Sequence, residues 1–210
     1  MKVSGHGQAK VLSVWEIDRL FNEGFSEERD RALFGICLYT GCRISEAVVL
    51  KLSDIGDGLI TFRKANTKGK TGTRQVPIAA GLRSYLDGYQ SLSSVFLFPG
   101  AVGGIVTKNR PLTRFAADKC LRTAAKRVGL VGVSTHSFRR TALTMMHQRG
   151  IPLRHIQAIS GHQSLAALQR YLDLPSDVEK AAAVEAIGDH GSTASRYPEQ
   201  LRQTAQQGKD

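Results

Sequence analysis

Four short segments of this 210-residue chain hold the side chains best suited to chemistry. They are Thr-Gly-Cys-Arg-Ile-Ser-Glu at 40–46, a lysine-rich stretch at 64–74, His-Ser-Phe-Arg-Arg-Thr at 136–141, and Ser-Gly-His at 160–162 with Tyr171 nine residues on. Together they supply Arg43, Arg139, His136, His162, Lys68 or Lys70, and Tyr171. Attack on a phosphodiester without a metal needs such a set. Arginine forks match the geometry of the non-bridging oxygens and stay charged. Histidine holds or moves protons near neutrality, and a leaving oxygen needs an acid. A tyrosine hydroxyl can act as nucleophile and hold a covalent phosphoryl group. The sequence offers no Asp/Glu/His cluster spaced for zinc or magnesium instead.

Each residue alone has a plainer reading. Arg43 would be a surface ion-pair partner, His136 and His162 structural histidines at helix starts, and Tyr171 half-buried packing. Lys68 and Lys70 would belong to a solvated turn. The ordered combination is what points to phosphate chemistry.

The elements that must position these groups follow from local signals. Ser13 and Glu16 form a capping box opening a helix to about Phe21. Ser26 is expected to cap a second helix, which points Ala32, Leu33, Ile36, Cys37 and Leu38 at a core and ends at Gly41. A further helix carries Glu46 to Leu50. Leu59–Phe62 and Arg74–Ile78 read as strands of a hairpin with a basic tip. Residues 80–90 read as a helix, and 91–110 as a loop-rich connection with a short strand at 95–98. Thr113 is expected to cap a helix through Val128. More helices are expected at about 137–149, 153–159, 164–173 and 177–187. His136 and Arg139, three apart, share one face at a helix start, whose free N–H groups add positive potential. His162 follows Gly161 at a helix junction. A continuous helix would put Tyr171 about 13 Å away, so the chain must bend between them or the tyrosine helix must swing.

These elements make an α+β fold: a mainly helical domain with a small three-stranded antiparallel sheet. The expected division is a flexible lead at 1–12, one domain at 13–187, and a flexible polar tail at 188–210. Lys and Arg outnumber Asp and Glu by 29 to 18, and the isoelectric point is about 9.9. That excess suggests a polyanionic partner, nucleic acid before membrane. The apolar runs are too short to span a bilayer and the start lacks a signal-peptide core, which suggests a cytoplasmic protein. Cys37, Cys42 and Cys120 fit neither a disulfide framework nor a zinc site and read as small buried hydrophobes.

On these residues the sequence resembles the tyrosine recombinase (phage integrase) family. Its boxes read T-G-x-R-x-S-E, H-x-x-R-[RH]-[TS], and L-G-H with a tyrosine nine residues later. All three stand here in order and spacing, the last as S-G-H, and the likeness covers about residues 11–187. It implies the DNA breaking-rejoining catalytic fold. It implies that Arg43 and Arg139 clamp the scissile phosphate, that His136 is general base or phosphate donor, and that His162 holds a phosphate oxygen. Tyr171 would form a 3′-phosphotyrosine, a hairpin lysine would be the general acid, and Glu46 would support the Arg43 region. The T-K…R-x-[IV]-P pattern favours Lys68, with Arg74, Val76 and Pro77 in register, while Lys70 in K-T-G fits a second version. No cofactor, metal or ATP is implied. The implied partner is double-stranded DNA, bound by a tetramer of a protein that is monomeric when free and associated with the nucleoid. Segment 177–187 would dock into a neighbouring subunit.

Two departures stand out. Ala167-Leu168 replaces a common Thr-Thr, so a changed contact is expected there. Only 42 residues precede Arg43, so the N-terminal domain that closes a clamp on DNA is expected to be missing. A DNA-binding regulator without turnover, or a type IB topoisomerase that relaxes supercoils, are the alternative readings.

Overall fold

The computed structural model describes residues 9–66, 72–103 and 105–172. Helix α1 (Val14–Arg19) starts on the expected capping box. Ser13 Oγ accepts from the Glu16 N–H, and the Glu16 carboxylate accepts from the Ser13 N–H. A π-helical turn, Leu20–Gly24, follows and buries Leu20 and Phe21. This turn delays α2, which runs Glu28–Thr40. Ser26 is therefore not its cap. Glu27 stands at that position without a side-chain cap bond, while Glu28 and Asp30 place negative charge in the first turn, where the helix dipole favours it. Gly41, at φ 60°, ends α2 in the left-handed conformation, and its N–H donates to the Cys37 carbonyl. Helix α3 (Ile44–Ala47) follows at once, earlier and shorter than the expected Glu46–Leu50.

The three-stranded sheet orders β1 (Ile55–Gly56), β2 (Leu59–Phe62) and β3 (Arg74–Pro77), all antiparallel. Ile60 pairs with Val76, and both are buried with Phe62, so one face meets the core and the other faces outward. Helix α4 (Ala80–Asp87) follows. The expected strand at 95–98 reduces to a single bridge, Lys51 to Phe96. Within the expected loop, β4 (Pro99–Val102) and β5 (Ile105–Pro111) form a second hairpin. Its glycines and prolines, and its irregular register between Pro99 and Gly100, hide the alternation that marks a strand.

Helix α5 (Arg114–Arg127) is capped by Thr113 as expected, and α6 (Thr135–Gln148) begins two residues before its expected start. Helices α7 (Leu153–Ser160) and α8 (Leu165–Gln169) complete the described part. Helix α2 buries residues all round its surface between α4 and α6. Its Phe34 stacks on Phe25 at 5.0 Å and meets the tilted ring of Phe138 of α6 at 4.9 Å. Residues 9–12, expected as the end of a loose lead, lie against α6. Leu12 is buried, its N–H donates to Thr141 Oγ1, and Arg140 donates to the Ala9 carbonyl. Cys37 and Cys42 are buried and Cys120 half-buried, all as free thiols. Among the described residues no helix is long and apolar enough to cross a membrane. Lys68, Lys70, the 177–187 segment and the tail from 188 lie outside the described residues.

Candidate active site

The turn from α2 into α3 sets the first arginine. Arg43 is the N-cap residue of α3. Glu46, three residues on and 2% exposed, accepts from the Arg43 backbone N–H at 2.9 Å and pairs with its guanidinium at 3.4 Å. The same carboxylate takes Arg74 of β3 at 3.0 Å. Arg74 also donates to the Ile159 carbonyl and lies over the Phe62 ring. One buried carboxylate, through Arg74, thus ties α3, β3 and α7 together. Arg74 entered the sequence reading only as a spacing marker for the lysine. Its pairing with Glu46 spans 28 residues and has no local signal.

Arg139 projects from α6 and is 1% exposed, which is rare for an arginine unless its donors are satisfied. Its Nη1 donates to the carbonyls of Gly41 and Ser160, at 2.5 and 2.9 Å. Its Nη2 lies 2.8 Å from Nε2 of His162, while its Nε has no hydrogen-bond partner among the described residues. Burial, then the charge of Arg43, pull its pKa down to about 10, so it stays cationic at neutral pH.

Gly161, at φ 69°, ends α7 in the left-handed conformation and releases His162. Ser164 then caps the separate helix α8 by accepting from the Ala167 N–H. This break supplies the bend that the nine-residue spacing required. Tyr171 folds back until its ring lies 5.1 Å from that of His162 and 5.6 Å from the Arg139 guanidinium carbon. At the Ala167-Leu168 departure, Leu168 packs in a small core with Leu143 and Ile156, and Ala167 faces the cleft.

One cleft of about 550 Å³ is lined by Arg43, His136, His162, Arg170 and Tyr171, with Arg114 and Phe115 from the start of α5 and Asp118 on its wall. Arg139 lies behind His162. Partial burial pushes the His136 pKa down, and the charges of Arg139 and Arg43 add to this. His162 is pushed further, to about 3, by burial first and then by Arg139, Arg43, Arg74 and Arg170. The cleft therefore offers an excess of fixed positive charge around two neutral imidazoles beside a phenol, a setting suited to a phosphate anion. Among the described residues no three His, Cys, Asp or Glu side chains are grouped to hold a metal. Arg114, Phe115 and Arg170 do not stand out as site residues in the sequence, because nothing local distinguishes them from other residues of amphipathic helices, in which Phe115 reads as one of the apolar positions.

A model of the phage integrase family matches residues 10–176. The chain is 28% identical over 177 residues to the tyrosine recombinase XerC of Herpetosiphon aurantiacus, covering 80% of this chain and 57% of that protein. With the tyrosine recombinase XerD of Mycobacterium tuberculosis it shares 33% identity over 155 residues, 68% of this chain and 47% of that one. The crystal structure of the XerA recombinase aligns with a TM-score of 0.69 at 25% identity, over 88% of this chain and 65% of that chain. XerH bound to its difH substrate, at 22% identity and a TM-score of 0.62, covers 84% of this chain and 55% of that one and shares the fold. The chain belongs to the phage integrase family. It spans about half the length of the curated relatives it matches.

Proposed function

We propose that this chain is the catalytic part of a site-specific DNA recombinase or integrase, which cleaves and rejoins strands through a 3′-phosphotyrosine at Tyr171. The observation that carries the reading is the meeting of Tyr171 with His162 and, behind it, Arg139, at a cleft lined by Arg43, His136, His162 and Tyr171. The tyrosine oxygen attacks phosphorus, the bond to the 5′ oxygen breaks, and the phosphoryl group stays on the protein. Its proton leaves through His136, which the lowered pKa keeps neutral and able to accept. A hairpin lysine, Lys68 before Lys70, protonates the departing 5′ oxygen. Arg43 and Arg139 hold the non-bridging oxygens, where charge grows in the pentavalent state. A 5′-hydroxyl of a partner strand reverses the attack, so the energy of the broken bond is kept and neither ATP nor a metal is consumed.

The partner is double-stranded DNA. The XerH structure named above holds a difH substrate, and a λ integrase dimer of the same fold holds a core site. The protein is monomeric when free, assembles as a tetramer on DNA and works at the nucleoid.

A nicked suicide substrate tests the reaction, because the short 5′ fragment diffuses away and traps the covalent complex. Wild-type protein should give a denaturation-resistant protein–DNA band. Tyr171→Phe should give none while binding the same DNA with nearly unchanged affinity. A band retained by Tyr171→Phe removes the tyrosine from the nucleophile's place. DNA binding without a band in either protein favours a regulator that kept the fold, and supercoil relaxation without synapsis of two sites favours a topoisomerase.

A further inference from the structure

Helix α7 ends on Ser160, a residue with no exposed surface although it carries a hydroxyl. Two contacts fix the direction of that hydroxyl. Its oxygen lies 2.6 Å from the Ile156 carbonyl oxygen and 2.7 Å from Nδ1 of His162. A carbonyl oxygen can only accept, so the serine proton points at Ile156. Only lone pairs are then left to face His162, and the short contact is attractive only if Nδ1 carries hydrogen. The reverse arrangement would press the serine oxygen's lone pairs against those of the carbonyl. The hydrogen bonds therefore run one way, from His162 Nδ1 to Ser160 Oγ to the Ile156 carbonyl.

The carboxylates at the site and on its cleft are paired, Glu46 with Arg43 and Arg74 and Asp118 with Arg122, and the other charged groups acting on His162 are cations. Arg139 faces it from α6, Arg43 from the start of α3, Arg74 from β3 and Arg170 from the end of α8. The Tyr171 ring lies beside it, and Gln157 Nε2 donates to its backbone carbonyl. Arg139 Nη2 is near both ring nitrogens at once, 2.8 Å from Nε2 and 3.2 Å from Nδ1, so it rests against the ring face and offers Nδ1–H no acceptor. Burial, and then the surrounding positive charge, keep the free imidazole neutral, so its single proton is the one that Ser160 holds.

We infer that Ser160 is a positioning residue for strand cleavage: it holds His162 in the Nδ1–H tautomer, so that Nε2 takes up a proton from solvent as the phosphate arrives and then donates to a phosphate oxygen. The cleavage part of this inference rests on the function proposed above. The tautomer does not. A phosphate that neutralises the four arginines makes the imidazolium affordable, and the Ser160 oxygen remains in place to accept from Nδ1. The family box carries leucine at this position, which has no atom able to accept that proton, so the arrangement is specific to chains with a hydroxyl there.

Imidazole ¹⁵N spectra of the full chain, recorded near pH 7 without DNA, test the tautomer. The His162 signals are identified by their loss in His162→Gln. The wild type should show a protonated Nδ1 and an unprotonated Nε2. In Ser160→Ala the two tautomers should mix or invert. Covalent trapping on nicked DNA should then slow on the order of tenfold, with the alkaline limb of its pH profile moved to lower pH. Ser160→Thr, which keeps the hydroxyl, should restore both readouts. A wild-type His162 with its hydrogen on Nε2 overturns the inference, a result that stands even if Ser160→Ala fails to fold. So does a Ser160→Ala protein with the wild-type tautomer and pH profile. Absence of covalent product from the wild type would count against the proposed reaction, while the spectra would still decide the tautomer.

Discussion

At the scale of single residues, His162 is the group most altered by its surroundings. An exposed histidine titrates near 6.5, and this one is held down to about 3 by burial and four arginines. Between those values the unfolded chain binds a proton that the folded chain refuses. The group's contribution to stability is thus fully present above about pH 6.5 and is lost as pH falls toward 3. On the proposed function, a bound phosphate would reverse the local balance by pairing with Arg43 and Arg139. Binding of a DNA duplex near pH 6 should therefore take up protons. Calorimetry in buffers of different ionisation enthalpy would measure the uptake, and His162→Gln should reduce it. Proton-neutral binding by the wild type would contradict the placing of the phosphate among these arginines.

At the scale of elements, the site depends on chain breaks between helices as much as on the helices. Gly41 turns α2 into α3 and sets Arg43, and Gly161 turns α7 into the His162–Tyr171 segment. Gly161 is constrained twice. Its φ of +69° is strained for any residue with a side chain, and an added Cβ would lie 2.8 Å from Nη1 of Arg74. Gly161→Ala should cost about 1–3 kcal/mol in urea or thermal unfolding. It should also slow covalent trapping by more than that destabilisation explains under conditions where the variant stays folded, because Arg74 and Glu46 must shift with it. A variant with wild-type stability and trapping rate would show that the left-handed turn and the Arg74 contact are dispensable.

At the scale of the whole molecule, a formal net charge of +11 meets a cleft edged by arginines. Phosphate contacts release counterions, so DNA affinity should fall linearly on a log–log plot against salt, by about 0.9 for each phosphate contacted. Arg114 stands on the cleft wall, exposed and stacked over Phe115. Removing it as Arg114→Ala should lower that slope by about one. Affinity that does not change with salt, or a slope untouched by Arg114→Ala, would place the DNA elsewhere on the surface. The described part folds on a core that runs from α1 through the sheet to α6, while Leu143, Ile156 and Leu168 form a smaller cluster under the tyrosine segment.

The sequence by itself determined the family, the order of the chemical groups and most of the helices. Those features rest on local spacing: Ser13 with Glu16, Gly41 after an apolar helix, His136 three residues before Arg139, and Tyr171 nine after His162. Such signals survive in a linear reading because a helix repeats over a few residues. What sits around those groups was decided only by the tertiary structure. The Glu46–Arg74 pair, the Arg139 bonds to Gly41 and Ser160, and the Arg114 and Phe115 wall all join residues far apart in the chain. The π turn after Arg19 and the β4–β5 hairpin escaped for a related reason. Packing holds the first open, and glycine and proline blur the pattern of the second. The sequence names the candidate groups, but their protonation depends on burial and neighbouring charge, and these exist only once the chain has closed around them.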